Sequence, residues 1–290
     1  MKKKKWSKWI WAAASLPLLF GFVPLSFQAE GQTETKAPSK IDACTIDNNA
    51  FQHGEELTYK VYYNLNFIWV PAGEVVFNVN EVNGQFHYSV KGWTYSSYEW
   101  FFKVRDNYDT YVDKNTLLPT LSIRDVREGG YTLYDKVDFD QKRNTAFSTR
   151  GRSKENIKEQ KEFPIDPCMH DMLSLIYYTR NLKFDQMKSG DHVPVKIFLD
   201  KEIYPLQMTF NGHVAKKSIK GLGKYDTLEF SPELIEGEYF KKGATMRIWA
   251  TNDENKVPLL IESPVAVGSI KAVLKSYKRV RHEWSAEVDD

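Results

Sequence analysis

Histidine pairs, phosphate loops and nucleophile elbows are all missing from this sequence. The six histidines, at 53, 87, 170, 192, 213 and 282, stand apart from one another. Zinc sites usually draw on close pairs that put two ligands on one face. No metal site and no cofactor is therefore expected. Gly221-Leu222-Gly223-Lys224 lacks the spacing and trailing hydroxyl of a phosphate loop, and no Gly-x-Ser-x-Gly occurs. Asp138-Phe139-Asp140 opens like a calcium loop but has neither its glycine nor its closing glutamate. No catalytic residue is singled out, and the enzymatic alternative is acid–base work by a carboxylate pair that only geometry can select.

Charge of one sign is also scarce: 40 basic residues face 38 acidic ones. Five of those lysines lie at positions 2, 3, 4, 5 and 8, ahead of an apolar run from Trp9 to Phe27 and the small-x-small triplet Ala29-Glu30-Gly31. A charged start, an apolar middle and small exit residues make a secretory signal, expected over 1–31 and removed on export. The competing reading is a retained anchor, since a spanning helix needs about 20 apolar residues; Pro17 and Pro24 interrupt the run. Without the signal, 35 basic residues face 37 acidic ones. The small excess of positive charge belongs to the export segment, so nucleic acid is not an expected partner. The expected location is the periplasm or outer envelope of a bacterium, with a soluble mature chain.

Cysteine is limited to Cys44 and Cys168. In an oxidising compartment an even pair points to a disulfide. Two unrelated thiols, or a nucleophile at a helix start, are the competing readings.

Most of the mature chain reads as antiparallel strands. Leu57, Tyr59, Val61 and Tyr63 alternate with polar neighbours, and Pro71-Ala72-Gly73 is expected to break the run. Val75, Phe77 and Val79 resume it, Asn83-Gly84 turns it, and Phe86, Tyr88 and Val90 carry it back. Asn211-Gly212 looks like a second such turn, and the last strand is expected over 269–280. One segment differs: Met169, Met172, Leu173, Ile176 and Tyr177 form the apolar stripe of a helix. Asp166 is its expected N-cap with Pro167 in first position, and Asp171 and Arg180 suit the two ends of its dipole. The charged stretch 142–161 reads as a solvated hairpin end; contact with anionic lipid or polysaccharide is the alternative.

Aromatic residues are plentiful. Trp93, Tyr95, Tyr98, Trp100, Phe101 and Phe102 fall within ten residues. They either close the end of a sheet as ordinary core or line an apolar or sugar-stacking cavity, and they are the candidate ligand-binding residues.

Several stretches, taken in order, resemble an exported bacterial family catalogued as domain of unknown function 3108. They are Gly54-Glu55-Glu56-Leu57-Thr58-Tyr59, Ala72-Gly73-Glu74, Thr116-Leu117-Leu118-Pro119, the helix from Asp171 to Arg180, Arg247-Ile248-Trp249-Ala250-Thr251-Asn252-Asp253, Val257-Pro258 and Val267-Gly268-Ser269-Ile270. The resemblance implies an envelope protein with a mostly antiparallel sheet and brings no catalytic residues. The expected organisation is a signal over 1–31, a flexible leader over 32–50, one β-rich domain over 51–284 and a loose tail over 285–290. The expected fold is mainly β: a long curved antiparallel sheet, a roll or incomplete barrel, with one packed α-helix near 168–182. The expected function is non-enzymatic binding of a lipid-like or glycan ligand in envelope maintenance. A carboxylate-based glycan hydrolase and an assembly partner of other envelope proteins are the alternatives.

Overall fold

A computed structural model describes residue 44 and residues 46–65, 68–100, 102–235, 244–265 and 268–289. The expected signal and the leader up to residue 43 lie outside these residues. Fourteen strands form one antiparallel sheet: β1 (Glu56–Leu65), β2 (Ile68–Val82), β3 (Gln85–Thr94), β4 (Arg105–Val112), β5 (Pro119–Glu128), β6 (Tyr131–Asp140), β7 (Thr145–Ser153), β8 (Asn156–Pro164), β9 (His192–Leu199), β10 (Glu202–Ile219), β11 (Gly223–Pro232), β12 (Arg247–Thr251), β13 (Pro258–Pro264) and β14 (Ser269–Lys278). Among the described residues there is one α-helix, α1 (Met172–Thr179), which with a short 3-10 turn (Phe184–Gln186) lies between β8 and β9.

The order across the sheet is β8 to β1 and then β14 to β9, so every neighbour but one is a neighbour in sequence. β1 and β14 join the chain's two ends, pairing Leu57 with Tyr277 and Val61 with Ala272. The sheet is not closed, because β8 and β9 stay unpaired as its edges. Side chains span that seam: Lys201 Nζ lies 2.9 Å from Glu159, and the Phe163 and Phe198 rings are 5.8 Å apart. The charged stretch over 142–161 takes the form of β7 and β8, and β8 presents Lys158, Glu159, Gln160, Lys161 and Glu162 to solvent. Charges along an open edge discourage pairing with another chain. The edge of β9 is covered by the segment before α1, where His170 N donates to Lys196 O and Phe198 N to His170 O.

Two expected breaks turn out to be continuous strand. β2 runs through Pro71-Ala72-Gly73 with a bulge at Ala72, since Val61 pairs with Gly73 and Tyr62 with Pro71. Gly73 is required there by close approach, since a Cβ would meet the carbonyl oxygen of Trp93 at 2.1 Å. Asn211-Gly212 is a bulge inside β10, not a turn; the register slips between Phe210 and Gly212, whose φ is 118°. Bulges and hairpins both exploit residues that tolerate positive φ, which is why the dipeptide misleads.

The chain before β1 is docked. Cys44 and Cys168 form a disulfide with Cα atoms 5.5 Å apart. Asn181 Oδ1 accepts from the amides of Asn49 and Ala50. The fully buried Phe51 ring lies 5.0 Å from Tyr177 and 5.3 Å from Phe86. At the other end, residues expected as a loose tail lie on β11: Ala286 is buried and Val288 N donates to Lys224 O.

Candidate ligand cavity

The helix is placed by buried polar groups at both ends. Its N-cap is Asp171, five residues beyond the expected Asp166; at Cys168 the φ of 61° still turns the chain. Asp171 Oδ1 accepts from Ser174 N at 2.9 Å, and its Oδ2 accepts from Thr110 and Ser122 at 2.6 and 2.9 Å. At the far end, Arg180 donates to both oxygens of Glu55, at 2.5 and 2.9 Å, and to the carbonyls of Asn255 and Ala50. An acid at the N-terminus and a cation at the C-terminus both favour the helix dipole. His170 stays neutral, because burial lowers its pKa to about 4.

On one side of α1 the inward face of the sheet is charged. Arg124 bridges Asp135 and Asp200 at 2.5 and 2.7 Å, and Arg150 reaches Asp200 at 2.7 Å. Burial alone would raise the Asp200 pKa, but Arg124 and Arg150 hold it below the usual carboxylate range. Nearby, Asp106 and Glu128 are buried against each other and share a side-chain hydrogen bond. Burial, then the neighbouring Asp106, pushes the Glu128 carboxyl up to about 9, so the pair holds one proton at neutral pH.

On the other side of α1 lies a cavity of about 190 Å³. Met172, Leu175, Ile176 and Thr179 of α1 form one wall. Leu57, Tyr59 and Phe77 of β1 and β2, with Met208, Phe230, Ile248, Ala250 and Ile261 of β10 to β13, form the others. This is far more than the space one water needs, and cavities with apolar walls stay dry and take apolar guests. Its polar wall groups are mostly occupied. Tyr59 Oη donates to Pro258 O at 2.8 Å, Glu233 accepts from Gln207 N at 3.0 Å, and Arg180 is held by Glu55.

The aromatic candidates are dispersed around the end of β3, and none of those described lines this cavity. Trp93 is half-buried on the face of β3 that carries His87 and Lys91. Tyr95 donates to Glu74 at 2.7 Å, and Tyr98 ends a short 3-10 turn. Trp100 is 78% exposed, whereas Phe102 is half-buried against the main core. Phe101 lies outside the described residues. Sequence reasoning missed the cavity walls because a strand facing a void carries the same alternating apolar pattern as one facing core. The only hint was the α1 stripe, which continues around the helix to Leu175.

No carboxylate pair suited to hydrolysis faces the cavity; among the described residues Glu233 is its single acidic wall residue. Asp106 and Glu128 lie outside it and touch each other, leaving no room for the sugar or water that glycosidase carboxylates flank. No group of three or more His, Cys, Asp or Glu side chains among the described residues could hold a metal ion. No helix among them is long and apolar enough to cross a membrane.

These features define a class: open, barrel-like antiparallel β proteins with a single helix against the concave face. The chain belongs to the DUF3108 family of proteins of unknown function, whose sequence profile matches residues 58–275. Among solved structures, the fold is similar to a β-barrel-like protein of domain of unknown function DUF1849 from Brucella abortus, at 7% identity and a TM-score of 0.52. That match covers 79% of this chain and 99% of the other. A candidate exported protein with a YmcC-like fold from Bacteroides fragilis aligns at 11% identity over 81% of this chain and 99% of its own, with a TM-score of 0.28. No curated protein matches the sequence.

Proposed function

We propose that this chain is an exported cell-envelope protein that binds one lipid-like ligand between α1 and β9–β13, and that its role is carriage or sensing and not catalysis. The observation that carries this reading is the apolar cavity of about 190 Å³. Its walls favour hydrocarbon over glycan, because a sugar buried there would find few free hydrogen-bonding partners and would lose those it had in water. The signal-like N-terminus and the Cys44–Cys168 bridge support an oxidising destination outside the cytosol.

Protein purified from its own envelope and examined by native mass spectrometry is expected to carry an added lipid mass that solvent extraction removes. Ile176→Trp, which fills the cavity from the α1 side, is expected to abolish the adduct while leaving the unfolding transition cooperative. Failure of the stripped protein to bind any long-chain amphiphile would overturn the proposal.

A further inference from the structure

We propose that the ligand carries a zwitterionic headgroup, with its anionic centre next to the acyl chain and an ammonium group beyond it, as in a single-chain phosphoethanolamine lipid. This rests on the cavity being a lipid site. Two of its wall residues, Phe184 and Lys256, also line a wider depression of about 700 Å³. Phe184 and Lys256 thus stand between the two spaces, and the proposal places the acyl chain in the cavity and the polar end by Lys256, toward that depression.

The charges along this route follow a fixed order. Among the described residues two cations lie on the cavity wall, and of these Arg180 is saturated by Glu55 and two carbonyls. The Lys256 ammonium makes no hydrogen bond or ion pair among the described residues, and it feels Asp253, Glu254 and Asp185 only at longer range. Burial lowers its pKa, so its charge is short of compensation that an anion would supply. Beyond it the depression is acidic, with Asp185, Asp253 and Glu254 on its wall. Glu254 pairs with His282 at 2.8 Å. Asp253 Oδ1 accepts from Thr251, Asn255 and Lys256, but its Oδ2 is buried without a partner. A fatty-acid carboxylate or a phosphoglycerol would satisfy Lys256 and then face these acids. A phosphate followed by an ammonium satisfies both, in the order in which the wall presents them.

The test is displacement of a fluorescent fatty acid, parinaric acid, from the solvent-stripped mature protein. The competitors are lysophosphatidylethanolamine, lysophosphatidylglycerol and the free fatty acid, all of one chain length. Lysophosphatidylethanolamine is expected to displace the reporter at about tenfold lower concentration than either rival, the scale of one charge-assisted contact. Lys256→Gln is expected to weaken it about tenfold. Asp253→Asn, which keeps the Oδ1 acceptor, is expected to erase its advantage over lysophosphatidylglycerol. Matched thermal melts show that both variants are folded. Equal displacement by all three lipids, or preference for either anionic one, overturns the headgroup assignment and leaves the lipid site standing. No displacement by any of them, with no binding of the reporter, overturns both.

Discussion

Beside β4 to β7 the inward face carries Thr110, Ser122, Arg124, Asp135, Ser148 and Arg150, whereas beside β10 to β12 it carries Met208, Phe210, Leu228, Phe230 and Ala250. The first interior leaves a space of only about 20 Å³; each buried charge there has a named partner, and Asp171 of α1 is tied into it by two hydroxyls. The second holds an open space. Directional partners must be met closely or not at all, since an unpaired buried charge costs several kcal/mol. Apolar walls carry no such demand, and a gap between them forfeits only dispersion contacts. One side thus fixes where the helix sits, and the other is free to accept a guest.

Both interiors depend on the position of the divider between them, so releasing it should have the largest effect. The Cys44–Cys168 bridge closes 124 residues and pins the segment that leads into α1. On the chain-entropy account, the double variant Cys44→Ser/Cys168→Ser should lose about 4–5 kcal/mol, read from the urea midpoint. The comparison sharpens if ligand binding weakens with it; a loss below about 1 kcal/mol would show that Asp171 and Arg180 hold the helix unaided.

Next in size is damage to the charged interior. Arg124→Met leaves Asp135 and Asp200 without their shared cation and should cost about 3–5 kcal/mol by urea unfolding. Met208→Ala, beside the cavity, should cost about 2 kcal/mol, the low end for such truncations, because part of its surroundings is already empty. Equal losses would break the contrast between the two sides.

The strand pattern, the long antiparallel sheet and the existence of one helix were legible in the alternation of Leu57, Tyr59 and Val61 and in the stripe from Met169 to Tyr177. Period-two burial is a local property, and sequence shows it. Boundaries were harder. Asp166 and Asp171 both suit an N-cap, and only the contacts with Thr110 and Ser122, from strands far along the chain, select the second. The ion pairs of Glu55 with Arg180 and of Arg124 with Asp200 span 125 and 76 residues, and no local pattern announces them. The void was invisible for the same reason, since it depends on how far α1 stands from β10 to β12. Aromatic density drew attention to Trp93–Phe102, yet density along the chain is not convergence in space.

A pH-dependent effect comes from protonation in the charged interior. Burial raises Asp106 to about 6, and burial with Asp106 beside it raises Glu128 to about 9. Unfolded, both titrate near 4, so the native state binds more protons and stability falls as pH rises from about 4 through about 9. Glu128→Gln keeps a donor to Asp106 and removes that titration. The variant should lie close to the parent at pH 5 and gain on it progressively up to pH 9, measured as paired urea midpoints. Taking the difference between variant and parent cancels the other groups that titrate there, His170 included. A constant offset at every pH would mean that the pair holds no proton at neutrality.

The smallest expected effect separates the two interiors most cleanly. Ile176 borders the open space, whereas Val137 lies in the cluster with Phe139, Ala146 and Phe198. Adding a ring at each position asks whether the neighbours must move. The space beside Val137 is only about 20 Å³, too little for a ring, so the extra volume forces strained rotamers and Val137→Phe should cost about 1–3 kcal/mol. At Ile176 the ring can enter the cavity and gain contacts there, so Ile176→Phe should lie within about 1 kcal/mol of the parent when both are stripped of ligand. Binding should respond in the opposite sense: the variant that folds as well as the parent should bind parinaric acid less well, and the strained one should bind it normally. Were Ile176→Phe as costly as Val137→Phe, the space beside α1 would be closed by neighbouring side chains in solution and could receive no chain.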